Sequence, residues 1–318
     1  MKKLLAIILT IVLLLSLFSL TACGEQADVV NVYVPDGAPA LSVASLMEEG
    51  ATVNGHSLNV VVTTGAGVKV AVEKGDADIA ILPMNACVAL YNGGADIKLL
   101  SVQTWGNLFL VGKGGNSLSD AKGKVVHCIG QNDVPGKIFR GLLSYHGIEY
   151  VENSQTAVSD KVSIVYHADA TTIIPGLKQG KIEYAVIAEP AASKVIGAPS
   201  KVVANLQQVW QSAYNTENAG YPQAGMVIGK DYYGNEAFLT DLLQKLYEND
   251  RFITENPTRA DELLTLRGST TAASSDLNRF TIARCGVKTI KATEAKSQIE
   301  AILPVYGVKK LPDLKFYL

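Results

Sequence analysis

The sequence is short of net charge, of histidine and of cysteine, and each shortage removes a class of function. Lys and Arg number 28 against 30 Asp and Glu, a formal net charge of −2, so no basic field exists to hold a nucleic-acid backbone. Four histidines, His56, His127, His146 and His167, are scattered, and no Cys/His spacing matches a zinc site. No metal, no cofactor and no nucleic-acid partner is expected. Three of the four cysteines, Cys87, Cys128 and Cys285, lie among apolar or small residues. That setting suits buried free thiols better than a disulfide framework. A complete phosphate loop is also missing, because Gly65-Ala66-Gly67 has neither the third glycine nor a following Lys-Ser/Thr pair; a tight turn is the better reading. No low-complexity segment appears, and no transmembrane output segment of the kind a signalling receptor would need.

What is present begins at the amino terminus. Lys2 and Lys3 precede an apolar run from Leu4 to Leu20, broken by Thr10, Ser16 and Ser19, and the run ends in Leu20-Thr21-Ala22-Cys23-Gly24. A basic start, an apolar stretch and small residues at its end form a signal-peptide layout. The last five residues resemble a bacterial lipobox, which implies cleavage after Ala22 and a diacylglyceryl group on Cys23. An ordinary secretory signal cut at the same place is the alternative. The expected division is a signal peptide over residues 1–22 and a lipidated tether over 23–28. Cleavage leaves 296 residues with a formal charge of −4, since Lys2 and Lys3 are lost.

An internal repeat organises the remainder. Leu58 to Gly65 reads as a strand entering a turn, and Ser163 to Ala170 reads the same way. Helical segments follow, Val68–Lys74 and Thr172–Gln179, each stopped by a glycine, Gly75 or Gly180. Second strands come next, Ala77–Leu82 and Ile182–Ile187, and both run into new helix starts at Pro83-Met84-Asn85-Ala86 and Ala188-Glu189-Pro190-Ala191. A looser match pairs Val30–Val34 and its Asp36-Gly37-Ala38-Pro39 with Lys124–Ile129 and its Asn132-Asp133-Val134-Pro135. Two βαβαβ copies with Val/Ile/Leu-rich strands predict an α/β protein of two lobes, each a mostly parallel sheet flanked by helices, with a ligand cleft between them. Extended apolar stretches at Leu99–Val111 and Ala224–Ile228 are the candidate crossings. They place lobe 1 at 29–112 plus 225–318 and lobe 2 at 113–224. Helices are expected in the tail at Glu236–Glu248, Thr258–Leu266, Ser274–Ala283 and Thr293–Leu303.

The paired lobes, the lipobox and the strand entry Lys74-Gly75-Asp76-Ala77-Asp78-Ile79-Ala80 together resemble type II periplasmic binding proteins over essentially the whole mature chain. Gly180–Pro190, which ends in Glu-Pro, looks like the corresponding segment of the group that binds alkanesulfonates, taurine, nitrate and thiamine-pyrimidine precursors. Gly130–Leu143 resembles that group's second ligand loop. The resemblance implies an extracytoplasmic solute-binding lipoprotein and not an enzyme. It would be a monomer, anchored to the cell membrane through Cys23, delivering a small-molecule ligand to the permease subunits of an ABC transporter.

Ligands of open α/β sheets sit beyond the carboxyl ends of the strands, which selects the candidate site. Lobe 1 offers Asp36, Gly37 and Ala38, then Thr64 and Gly65, then Met84 and Asn85. Lobe 2 offers Asn132, Asp133 and Val134, then Asp169, then Glu189. Asp36 and Asp133 precede a proline by three and two residues, so each could instead cap a helix; Ala38 and Val134 are backbone N–H candidates. Trp105 and Asn107 near the first crossing, and Tyr221 near the second, are either cleft-facing or wedged into the hinge. Glu189 stands where the other copy has the neutral Met84. It either caps a helix or, with Asp169, accepts hydrogen bonds from a ligand, which would favour a polar heterocycle or zwitterion over a simple anion. An enzyme of related fold would need an acid/base pair or nucleophile. His127, Cys128, His167 and Glu189 are the only material, and His127 and Cys128 fall on opposite faces of one strand.

Overall fold

The computed structural model describes residues 29–168, 170–197, 199–214, 216, 220–270 and 277–318. The expected signal peptide, Cys23, the 23–28 tether and Asp169 lie outside these residues.

Among the described residues thirteen strands form two sheets. The first contains β1 (Val30–Pro35), β2 (Thr52–Val53), β3 (His56–Thr63), β4 (Ile79–Pro83), β5 (Ile97–Trp105), β12 (Pro222–Gly229) and β13 (Val287–Lys291), in the order β13-β5-β12-β4-β1-β3-β2. The second contains β6 (Leu108–Gly112), β7 (Val125–Ile129), β8 (Tyr150–Glu152), β9 (Val162–His167), β10 (Tyr184–Ala188) and β11 (Lys201–Asn205), in the order β11-β6-β10-β7-β9-β8. The repeat is visible in this order: β4-β1-β3 in one sheet matches β10-β7-β9 in the other, all parallel. The inner strands β4 and β10 are buried at four consecutive positions, as expected where helices cover both faces.

Each sheet also takes an antiparallel strand next to a crossing, β12 on the return path and β6 on the outgoing one. β12 runs against β4 and β5, and β6 runs against β10 and β11. This corrects the expected division at residue 112, because β6 belongs wholly to the second sheet, and it moves the return from 225 to Pro222. The first crossing is only Gly106-Asn107. Nothing in hydropathy marks it, since β6 is buried throughout and β5 at all but one position, so the run Leu99–Val111 reads as a single stretch.

The helices are α1 (Ala38–Leu41), α2 (Gly65–Lys74), α3 (Met84–Asn92), α4 (Val134–Tyr145), α5 (Ile173–Lys178), α6 (Leu206–Tyr214), α7 (Glu236–Glu255), α8 (Pro257–Leu266), α9 (Arg279–Arg284) and α10 (Ala292–Ile302). Gly75 and Gly180, at φ 78° and 69°, end the α2 and α5 segments in the left-handed region, where a side chain would be strained. Helix α7 outruns its expected end at Glu248 because Asn249, polar in sequence, is fully buried. Its amide accepts from Ser45 N at 2.8 Å and donates to Leu41 O at 3.2 Å. The expected helix at Ser274–Ala283 begins only at Arg279 among the described residues, with Asn278 as its cap. No helix among the described residues is long and apolar enough to cross a membrane.

Candidate functional site

The carboxyl ends of β1, β3 and β4 and of β7, β9 and β10 carry the predicted site residues, and the chain between the two sheets is a short, buried crossing. At that crossing the Gly106 N–H donates to Tyr221 O at 2.9 Å, which pairs the outgoing and returning segments. Trp105 is buried. Its indole N–H donates to Lys288 O at 2.9 Å and its backbone N–H to Gly286 O at 2.7 Å. Tyr221 is also fully buried, edge-on to Trp210, with its hydroxyl 3.4 Å from Gln207 Oε1; burial holds its phenol well above the ordinary range. Both rings are therefore hinge packing, with no face turned to solvent.

Two of the carboxylates expected at the site, Asp36 and Glu189, are occupied. Asp36 accepts from Gly37 N at 2.7 Å, from Thr270 N and Oγ1 at 2.9 and 3.0 Å, and from Ser269 Oγ. It thereby ties the β1–α1 loop to the 269–270 turn. The residue at the helix-cap position of α1 is Gly37. Glu189 has no exposed side-chain surface. Its Oε2 accepts from Ser193 N at 2.9 Å, and its Oε1 from Ser193 Oγ at 3.0 Å and from Arg284 Nε at 2.6 Å. Arg284 belongs to α9, beside the first sheet, whereas Glu189 and Ser193 follow β10 of the second. The ion pair thus joins the two halves of the molecule. Arg284 also donates to Ser193 Oγ and lies 5.9 Å from the Phe109 ring centroid.

The remaining candidates divide by exposure. Met84 is fully buried and Ala38 and Val134 nearly so, whereas Gly65, Asn132 and Asp133 are exposed. Thr64 caps α2 by accepting from Gly67 N at 3.1 Å, but Asp133 makes no side-chain cap bond at the start of α4. There Pro135 has no N–H, and the Gly136 N–H is taken by Gly130 O at 3.1 Å. Asn107 is 1 % exposed, donates to Glu189 O at 3.3 Å and accepts nothing at Oδ1; Asn85 Oδ1 and Gln223 Oε1 are likewise buried without a partner.

Sequence reasoning missed three groupings. It treated the histidines as scattered, but His127 Nδ1 lies 2.8 Å from His167 Nε2 with the rings stacked at 5.1 Å. Burial, then the charge of His167, lowers the His127 pKa below the ordinary value. The register Ile129↔His167 of β7 and β9 was the signal that could have found the pair. Arg140, the second grouping, donates to Gln131 O at 2.9 Å, to Tyr166 Oη at 2.7 Å and to Glu152 at 3.0 Å, bracing the loop before α4. Arg284 is the third; no local pattern announces an arginine whose partner is 95 residues away. The three cysteines among the described residues, Cys87, Cys128 and Cys285, are buried and unpaired, as expected, and burial pushes the Cys87 thiol up to about 12. Among the described residues no group of three or more His, Cys, Asp or Glu could hold a metal.

No family model matches the chain, and no curated protein matches it by sequence. Solved structures do match its fold. An ABC transporter protein from Parabacteroides distasonis superposes with a TM-score of 0.76 at 22 % identity, covering 91 % of this chain and 98 % of that one. The alkanesulfonate-binding protein SsuA from Xanthomonas axonopodis pv. citri, solved with MOPS bound, gives 0.59 at 15 % identity, with 93 % and 98 % covered. The ligand-binding component of an ABC-type import system from Staphylococcus aureus, solved with zinc bound, gives 0.62 at 12 %, with 92 % and 96 % covered. The chain therefore has the two-lobed fold of these binding proteins. That fold carries a sulfonate in one case and a metal in another, so the ligand must be argued from the site.

Proposed function

We propose that this chain is the extracytoplasmic capture subunit of an ABC importer, held to the membrane by a lipid on Cys23, and that its two lobes close on a small polar organic solute for delivery to the permease subunits. The observation that carries the reading is the duplicated set of strand ends on two sheets joined by a two-residue crossing, the arrangement a hinge-closing binding protein requires. Catalysis has little support: Cys128 is buried with its thiol pKa raised by that burial, and Glu189 is saturated by Ser193 and Arg284.

For the solute we favour a heterocycle or zwitterion of the thiamine-pyrimidine type. The likeness in fold to a protein that binds alkanesulfonates supports a sulfonate as the second reading. Native mass spectrometry of the purified protein, followed by melting curves with the co-purified compound, an aminopyrimidine, an amino acid and an alkanesulfonate, tests both. A bound solute at one hundred times its dissociation constant stabilises the fold by about 2.7 kcal/mol. No co-purified mass and flat curves with all compounds would remove the capture reading; a response to the sulfonate alone would select the second.

A further inference from the structure

We infer that the molecule carries a second ligand site, a cationic pocket beside the Glu189–Arg284 pair that takes a small organic anion bearing a phosphate, sulfonate or carboxylate head. The pocket encloses about 470 Å³ and is lined from both halves of the chain. Lys178, Ser193, Lys194 and Ile196 come from the side of the second sheet, and Asn278, Phe280, Thr281 and Arg284 from α9 and its cap.

The lining fixes the ligand's chemistry. Among the described residues that line it, three side chains are cationic and none is a carboxylate. Glu189, the acid bonded to Arg284, has no exposed side-chain surface, so it offsets part of the Arg284 charge from below without presenting an oxygen to the pocket. Arg284 keeps about a third of its side chain exposed beyond that pair. A guanidinium with two ammonium groups around one concavity matches an oxyanion. Phe280 stands at the rim with 82 % of its surface exposed. A large apolar ring left in water beside a charged pocket offers a flat face to the body of the anion. Because the walls belong to both halves, an anion seated here also favours the arrangement in which they meet, and by linkage it strengthens solute capture in the cleft.

The test uses the mature protein with inorganic phosphate and phenyl phosphate as probes, each against chloride at matched ionic strength. The expected result is a saturable rise in melting temperature, about 2 °C at ten times the dissociation constant for a chain of this size, with phenyl phosphate half-saturating at lower concentration. The double substitution Lys178→Met/Lys194→Met should abolish the rise while leaving the chloride melting curve and the Glu189–Arg284 pair in place. Phe280→Ala should erase only the preference for phenyl phosphate. A rise equal to that in chloride, or one that survives the double substitution, overturns the inference. Should the double variant melt early in chloride, Lys178→Met alone, at an exposed position, must still shift half-saturation upward severalfold. Solute binding in the cleft is scored separately by native mass spectrometry, so either site can fail alone.

Discussion

Replacing Arg284 with methionine removes the cation bonded to Glu189 while keeping the length and most of the apolar contact of the side chain. The carboxylate left behind has no exposed surface, and stranding a buried charge by deleting its partner costs roughly 3–5 kcal/mol. Two features place the expected loss at the low end. Arg284 is itself about a third exposed, and Ser193 continues to donate to the carboxylate from its N–H and hydroxyl. A loss of about 3 kcal/mol corresponds to about 5 °C in melting temperature for a chain of this length. Glu189→Gln in the same protein should cost only about 1 kcal/mol, because a neutral acceptor remains for Ser193 N. Combining the two should recover part of the Arg284→Met loss, since no unpaired charge is then buried. Chemical denaturation of the four proteins reads this cycle directly. An Arg284→Met variant within about 0.5 kcal/mol of the parent, the scatter of ordinary surface substitutions, would refute the view that this pair holds the two halves together.

The histidine pair and the hinge give two further tests. The folded-state pKa of His127 is depressed by burial and by His167, so the unfolded chain binds the extra proton first. The stability the pair contributes is therefore full above pH 6.5 and is lost as the pH falls below it; His127→Gln should flatten that slope in denaturation curves between pH 7.5 and 5, and an unchanged slope would place its source elsewhere. At the hinge, Gly286 has φ 66° and an added Cβ would collide with Trp105 O. Gly286→Ala should lower stability by about 3 kcal/mol or more, read by melting temperature, and near-parental stability would show that the Trp105 contact is loose.

How far the sequence foretold this structure depends on whether a feature is local or distant. The two βαβαβ copies were legible because buried parallel strands write their burial as apolar runs and their helices end on glycines at matching places, Gly75 and Gly180. The crossing was not, since Gly106-Asn107 interrupts neither hydropathy nor burial. Strand β13 was missed for a related reason: Val287-Lys288-Thr289-Ile290-Lys291 is polar at three of its five positions, with neither a continuous apolar run nor a strict alternation, and it becomes a strand only because the edge of β5 is there to pair with it. Glu189 shows the limit most plainly. Its place after β10 was foreseen, but whether a buried carboxylate faces a ligand or a cation depends on an arginine from the far end of the chain.

That arginine alters the argument about the solute. A case for a donor-rich ligand resting on Glu189 loses force once its oxygens are filled by Ser193 and Arg284, and Asp36 is filled in the same way by residues 269–270. The start of α4 offers little to an anion, with Pro135 lacking an N–H and the Gly136 N–H bonded to Gly130 O. The start of α2 is better placed. Thr64 engages the N–H of Gly67 through its side chain and that of Val68 through its carbonyl, which leaves Gly65 and Ala66, both exposed, as the first-turn amides facing outward. An acidic group on the solute would therefore be met in the first lobe by α2, and the second lobe would contribute chiefly shape and neutral hydrogen bonds. A zwitterion oriented with its carboxylate toward Gly65 satisfies both halves of that division, and a sulfonate satisfies the first.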